Sequence, residues 1–165
     1  MARDTLRILA KRLGARLKRR RLKLVTAESC TGGGIAQAVT SVPGSSAWFE
    51  RGFVTYSNAA KRELLGVRAQ TLLRFGAVSR EAASEMAAGA LARSRAQVSV
   101  AVTGVAGPSG GTKRKPVGTV CLAWSRKKRT PESITRRFSG GRESVRRKSA
   151  IAALQGLIER LEETE

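Results

Sequence analysis

Histidine is absent from all 165 residues, and that absence removes the commonest hydrolytic machinery. A Ser-His-Asp triad, a Cys-His dyad and any zinc site with an imidazole ligand are excluded. Cysteine is nearly as scarce. Cys30 and Cys121 are too few for a Cys-only zinc site, lack C-x-x-C spacing and make no disulfide framework, so both read as small buried side chains. Aromatic residues form only 4% of the chain, so the core must rest on Ala, Leu, Val and Ile, with little aromatic interleaving for stacking bases. No apolar run approaches the roughly 18 to 20 residues that a membrane span needs. No apolar segment with a small-residue cleavage site follows the basic Arg3, Arg7, Lys11 and Arg12, which predicts a cytoplasmic protein with no membrane association.

Acids are in short supply: 12 Asp and Glu face 32 Lys and Arg, for a formal net charge of +20. The excess gathers in clusters at Arg16 to Lys23, Lys113 to Lys115, Arg126 to Arg129, Arg136 and Arg137, and Arg146 to Lys148. Such a field speeds capture of small anionic substrates and attracts polyanions without selectivity. Solvated basic faces and non-specific nucleic-acid binding are both compatible with it. Any nucleophilic chemistry must use a base other than imidazole.

The apolar pattern predicts alternating helices and strands. Leu6, Leu9, Ala10, Leu13 and Leu17 fall at helical spacing after Asp4, an N-cap residue type, which predicts a helix over 5–20. Strands are expected at 22–26, 52–56, 98–102, 117–124 and 133–138, the last two joined by the basic turn at 126–129. Helices are expected at about 31–39, from Ser57 or Asn58 to Leu65 with Gly66 closing it, up to Phe75 before Gly76, after the Ser79 cap, and at about 143–162. No internal repeat or dividing linker interrupts residues 1–165, so one α/β domain with helices packed on a mixed sheet is expected.

Three segments at predicted strand ends carry chemistry, and in open α/β sheets that edge is where ligands bind. In Glu28-Ser29-Cys30-Thr31-Gly32-Gly33-Gly34 a strand turns sharply into a helix. That geometry exposes the Ser29 hydroxyl and aims backbone N–H groups outward, toward a phosphate or a developing oxyanion; the alternative is a plain helix cap. In Tyr56-Ser57-Asn58-Ala59-Ala60-Lys61 the lysine falls in the first turn of a helix, where the macrodipole and burial disfavour the ammonium form. A neutral Lys61 serves as general base where histidine is missing, with Tyr56 relaying or positioning the proton; an ordinary surface lysine is the alternative. Thr103 to Gly111 suits a backbone nest for an anion, or a mobile surface loop, and lacks the G-K-S/T ending of a Walker A loop.

Taken together with Pro43-Gly44-Ser45-Ser46, Phe49 to Asn58, Gly76-Ala77-Val78-Ser79, Thr103 to Pro108 and Lys115 to Val120, these segments resemble the CinA C-terminal domain family over about residues 6–161. The resemblance implies a three-layer α/β/α domain with helices on both faces, often homo-oligomeric and working without metal or other cofactor. It implies hydrolysis of the carboxamide of nicotinamide mononucleotide to nicotinate mononucleotide and ammonia, in pyridine-nucleotide recycling. Carried over by position, Ser29 attacks the carboxamide carbon and Lys61, with Tyr56, takes the serine proton and returns it to ammonia. A thiolate at Cys30 is an alternative nucleophile, but the match places the chemistry on Ser29. Backbone N–H groups at Thr31, Gly32 and Gly33 are expected at the oxyanion. Thr103 and the loop from Gly104 to Gly107 are expected to line the site and hold the phosphate or ribose, although these two roles are interchangeable. Asn58 is an orienting residue and Arg142 a basic residue near the ligand. The family often has an acid where this chain has Gly141, a departure expected to loosen Arg142. The resemblance also implies that many relatives carry an N-terminal nucleotide-processing domain, which residues 1–165 are expected to lack. The competing readings are an amidase for another anionic amide and a catalytically silent, basic, nucleic-acid-associated module.

Overall fold

The computed structural model describes residues 2–163. Helix α1 (Ala2–Arg20) begins ahead of Asp4, so the expected cap residue lies inside the helix, and its side chain falls outside the described residues. Leu9, Leu13 and Leu17 turn one stripe of α1 inward, each such burial contributing about 1.5–3 kcal/mol. The chain then runs through β1 (Leu24–Glu28), α2 (Gly34–Thr40), a 3₁₀ turn at Ser45–Ala47 and β2 (Phe49–Val54). It continues with α3 (Asn58–Leu65), α4 (Ala69–Phe75), α5 (Arg80–Ala92), β3 (Val98–Gly104), β4 (Thr119–Arg126), β5 (Glu132–Arg137) and α6 (Arg142–Glu162).

Several predicted boundaries move, each for a local reason. The helix expected from Thr31 starts at Gly34, because Gly32 and Gly33 take left-handed φ values of 59° and 98° and hold the chain in a turn. The strand expected from Val117 starts at Thr119, because Gly118 has φ 92°. The strand expected at 52–56 is β2, which begins three residues earlier and ends at Val54. Side-chain caps at Ser57 and Ser79 accept from the N–H groups of Ala60 and Ala82, and Gly66 closes α3 with φ 67°.

The five strands form one mixed sheet in the order β2-β1-β3-β4-β5. Strand β1 is parallel to both β2 and β3, whereas β3–β4 and β4–β5 are antiparallel. Alternate strand residues face opposite layers. Leu24, Val100, Val102, Leu122 and Trp124 pack against α1, α2 and α6 through Leu13, Ile35, Leu154 and Leu157. Val25, Ala27, Ala101 and Ala123 pack the other way, against the alanine-rich α5 and the end of α3 at Leu65. The result is the α/β/α sandwich. No helix among the described residues is long and apolar enough to cross a membrane.

The carboxyl ends of β1, β2 and β3 lie side by side, since Glu28 is in register with both Val54 and Val102. From β1 the chain leaves toward β2; from β3 it leaves toward β4. The two connections diverge, opening a crevice between Ser29 and the loop after Gly104, the topological position where such sheets bind ligands.

Candidate active site

Ser29 is the first residue beyond β1. Its N–H donates to Val102 O at 3.0 Å, extending the β1–β3 ladder by one rung and holding the residue at the crevice. It is 7% exposed. The turn that follows is gripped from behind. The Glu28 carboxylate, fully buried, accepts from Ile35 N (2.8 Å) and Ala36 N (3.1 Å) at the start of α2.

Lys61 reaches the same point from α3. Its side chain is 1% exposed, and Nζ lies 3.0 Å from Ser29 Oγ and 3.0 Å from the Thr55 carbonyl oxygen. The Tyr56 carbonyl oxygen is more distant, at 3.5 Å. No carboxylate among the described residues pairs with this amine. Burial pushes its pKa below the ordinary lysine value, opposed only by Cys30 when that thiol is ionised. Nζ donates to both Ser29 Oγ and Thr55 O; when the amine is neutral, its lone pair can instead accept the Ser29 hydroxyl proton. The arrangement can therefore deprotonate a serine without imidazole.

Cys30 borders the crevice but is a poor competitor as nucleophile. Burial above all pushes its thiol up to about 11, and the thiolate is the reactive form.

A cleft of about 300 Å³ opens over the pair. It brings together Ser29, Tyr56, Asn58, Lys61, Thr103, Gly104, Gly107 and Arg142 among the expected site residues. Thr31, Gly32 and Gly33 do not line it. The Gly32 N–H donates instead to Ser29 O at 3.0 Å, and the Thr31 hydroxyl is buried with no partner among the described residues. Thr103 donates to Ala77 O at 2.8 Å, pinning the segment before Ser79 against the cleft wall. Gly104 is required for space: a Cβ there would approach Val120 Cγ2 to 2.8 Å and Cys30 Sγ to 3.2 Å.

Two expected roles change. The phenol of Tyr56 does not reach Ser29 or Lys61; its oxygen accepts from Arg142 Nη2 at 3.0 Å, and the side chain is 63% exposed at the rim. Arg142 is not loosened by the missing acid at Gly141. A second nitrogen, Nη1, donates to Gly107 O at 2.8 Å, so its guanidinium spans two walls of the cleft.

Sequence reasoning passed over Glu28, Thr55, Ala77 and Arg146. An acid ending a buried strand, six residues before a helix with no acid in its own first turn, was a usable signal for Glu28. The others act through backbone carbonyls or across more than a hundred residues and leave no local trace. Among the described residues no group of three or more His, Cys, Asp or Glu is placed to hold a metal ion.

Comparison with known proteins identifies the family and the fold. The profile of the CinA C-terminal domain matches residues 6–161. The nicotinamide-nucleotide amidohydrolase PncC of Pseudomonas putida is 56% identical over 156 residues, covering 94% of this chain and 97% of that protein. The Escherichia coli K12 protein of the same name is 52% identical, covering 90% of each chain. A crystal structure of the competence/damage inducible protein CihA from Agrobacterium tumefaciens superposes with a TM-score of 0.93 at 48% identity over 96% of both chains. A match to the profile along nearly the whole chain, with the same fold at that identity, establishes that the chain belongs to the CinA C-terminal domain family.

Proposed function

We propose that this protein is a nicotinamide-nucleotide amidohydrolase that converts nicotinamide mononucleotide to nicotinate mononucleotide and ammonia. The observation that carries the reading is the buried contact of 3.0 Å between Lys61 Nζ and Ser29 Oγ at the floor of the cleft. The names of relatives that align over at least 90% of both chains support the substrate.

As Ser29 Oγ bonds to the carboxamide carbon, its proton passes to the neutral Lys61 amine. The resulting ammonium returns that proton to the amide nitrogen as the C–N bond breaks, releasing ammonia and leaving an ester on Ser29. Water then attacks the ester, Lys61 again taking a proton and returning it to Ser29, and nicotinate mononucleotide departs. The N–H groups of Ala106 and Gly107 donate to nothing among the described residues and border the cleft. That loop is better placed than Gly32 to receive the oxyanion or the phosphate. Arg142, at the rim, supplies the positive charge that an anionic nucleotide requires.

Ammonia release from nicotinamide mononucleotide tests the reading. Ser29→Ala should lower it by about a thousandfold or more, and Lys61→Ala by at least about a hundredfold. Wild-type turnover in Ser29→Ala would discard the mechanism.

A further inference from the structure

Arg146 sits in the run Arg146-Arg147-Lys148, which reads as surface charge. The fold gives it a separate task. One turn of α6 beyond Arg142, it shares that residue's side of the helix and reaches the turn that carries Ser29. Nε donates to Cys30 O at 3.1 Å and Nη2 to Thr31 O at 3.4 Å.

We infer that Arg146 is a positioning residue for the nucleophile: its guanidinium, laid across the carbonyl oxygens of Cys30 and Thr31, fixes the Ser29 turn in the geometry needed for attack. The inference rests on Ser29 being the nucleophile, as proposed above. Three features of the turn support it. First, the turn is held from two sides by opposite charges, Glu28 on the N–H groups of Ile35 and Ala36 and Arg146 on the carbonyls. Second, the Thr31 carbonyl belongs to the same peptide unit as the Gly32 N–H, which donates to Ser29 O at 3.0 Å. A cation on that carbonyl polarises the unit and strengthens the bond that closes the turn. Third, Gly32 leaves room for the guanidinium, since a Cβ there would stand 3.1 Å from Nη2.

The charge acts on the chemistry as well as the shape. Arg146 favours the ionised form of Cys30, the neighbour of Ser29, and the same field favours negative charge developing on Ser29 Oγ. A lysine at 146 would supply the charge but cannot span two carbonyl oxygens with a planar fork.

The test uses the rate at which a fluorophosphonate reagent labels Ser29, read by mass spectrometry of the intact chain, beside ammonia release. Arg146→Ala should slow labelling by about tenfold or more and lower kcat with little change in KM, and Arg146→Lys should fall between it and wild type. Guanidinium chloride at tens of millimolar should restore Arg146→Ala severalfold, whereas equal sodium chloride should not. Labelling of Arg146→Ala at the wild-type rate, with an unchanged thermal melt, overturns the inference. If that variant fails to fold, Arg146→Lys labelling at the wild-type rate does the same. Wild-type chain that labels at Ser29 yet releases no ammonia from nicotinamide mononucleotide rejects the substrate and leaves the role of Arg146 standing. Wild-type chain that does not label at Ser29 ends the role with the nucleophile.

Discussion

Gly89 meets the carbonyl oxygen of Leu65 with no room for a side chain between them: a Cβ at Gly89 would fall on that oxygen. Helix α5 therefore crosses the C-terminal end of α3 at backbone contact. This closeness matters because α3 carries Lys61 one turn earlier. Arg93 reinforces the junction by donating to Leu65 O at 3.2 Å. Leu65 at the end of α3 packs with Val25 and Ala27 of β1 as well as with α5, whose small Ala83, Ala87 and Ala90 keep it close to the sheet.

Gly89→Ala should push α3 outward and separate Lys61 from Ser29. Overpacking of this kind costs about 1–3 kcal/mol, visible as a lower urea midpoint. Activity per folded molecule should fall as well. A variant with wild-type stability and turnover would show that α3 does not take its place from this contact.

Lys61 should make stability depend on pH in a definite direction. Its folded-state pKa lies below the ordinary 10.5, so between those two values the unfolded chain binds more protons. Stability contributed by this site therefore rises with pH through that window and is lowest below it. Compared with Lys61→Met, wild type should gain stability in urea titrations as the pH rises toward the ordinary lysine value of 10.5. The same group must be neutral to act as base, so turnover should climb with pH through the lowered value. A constant gap between the two proteins at all pH values would mean that the amine stays charged in the fold.

Tyr56→Phe separates a rim residue from a proton carrier. The phenol is bonded to Arg142 and not to the reacting pair, so its loss should lower kcat by less than about tenfold, against the 10²–10⁴ expected for a general base. Arg142→Ala should act mainly on KM, because it removes a cation that faces an anionic substrate. Steady-state kinetics of the two variants decide the matter. A kcat loss of a hundredfold in Tyr56→Phe would return the phenol to the proton path.

Much of this protein is local and therefore readable. Helical spacing in α1, the serine caps at Ser57 and Ser79, the αL glycine at Gly66 and the valine-rich β3 are short-range effects, and each appeared within a few residues of its expected place. Histidine's absence, a serine at a glycine turn and a lysine near a helix start made Ser29 and Lys61 candidates, and the resemblance to the family singled them out over a helix cap, a surface lysine and Cys30. Boundaries were missed where a glycine's backbone angle decided the outcome, as at Gly32, Gly33 and Gly118, since composition marks a turn without saying which residue ends it.

The sequence by itself determined which side chains could do the chemistry, because residue type limits what a group can donate, accept or release. Only tertiary structure decided which of them meet. The strand order that sets β1 beside β3, the α5 contact that lowers Lys61 onto Ser29, and the reach of Arg142 and Arg146 from the last helix all join segments far apart in the chain. Burial is likewise a property of the assembled layers, and burial is what lowers the lysine's affinity for its proton.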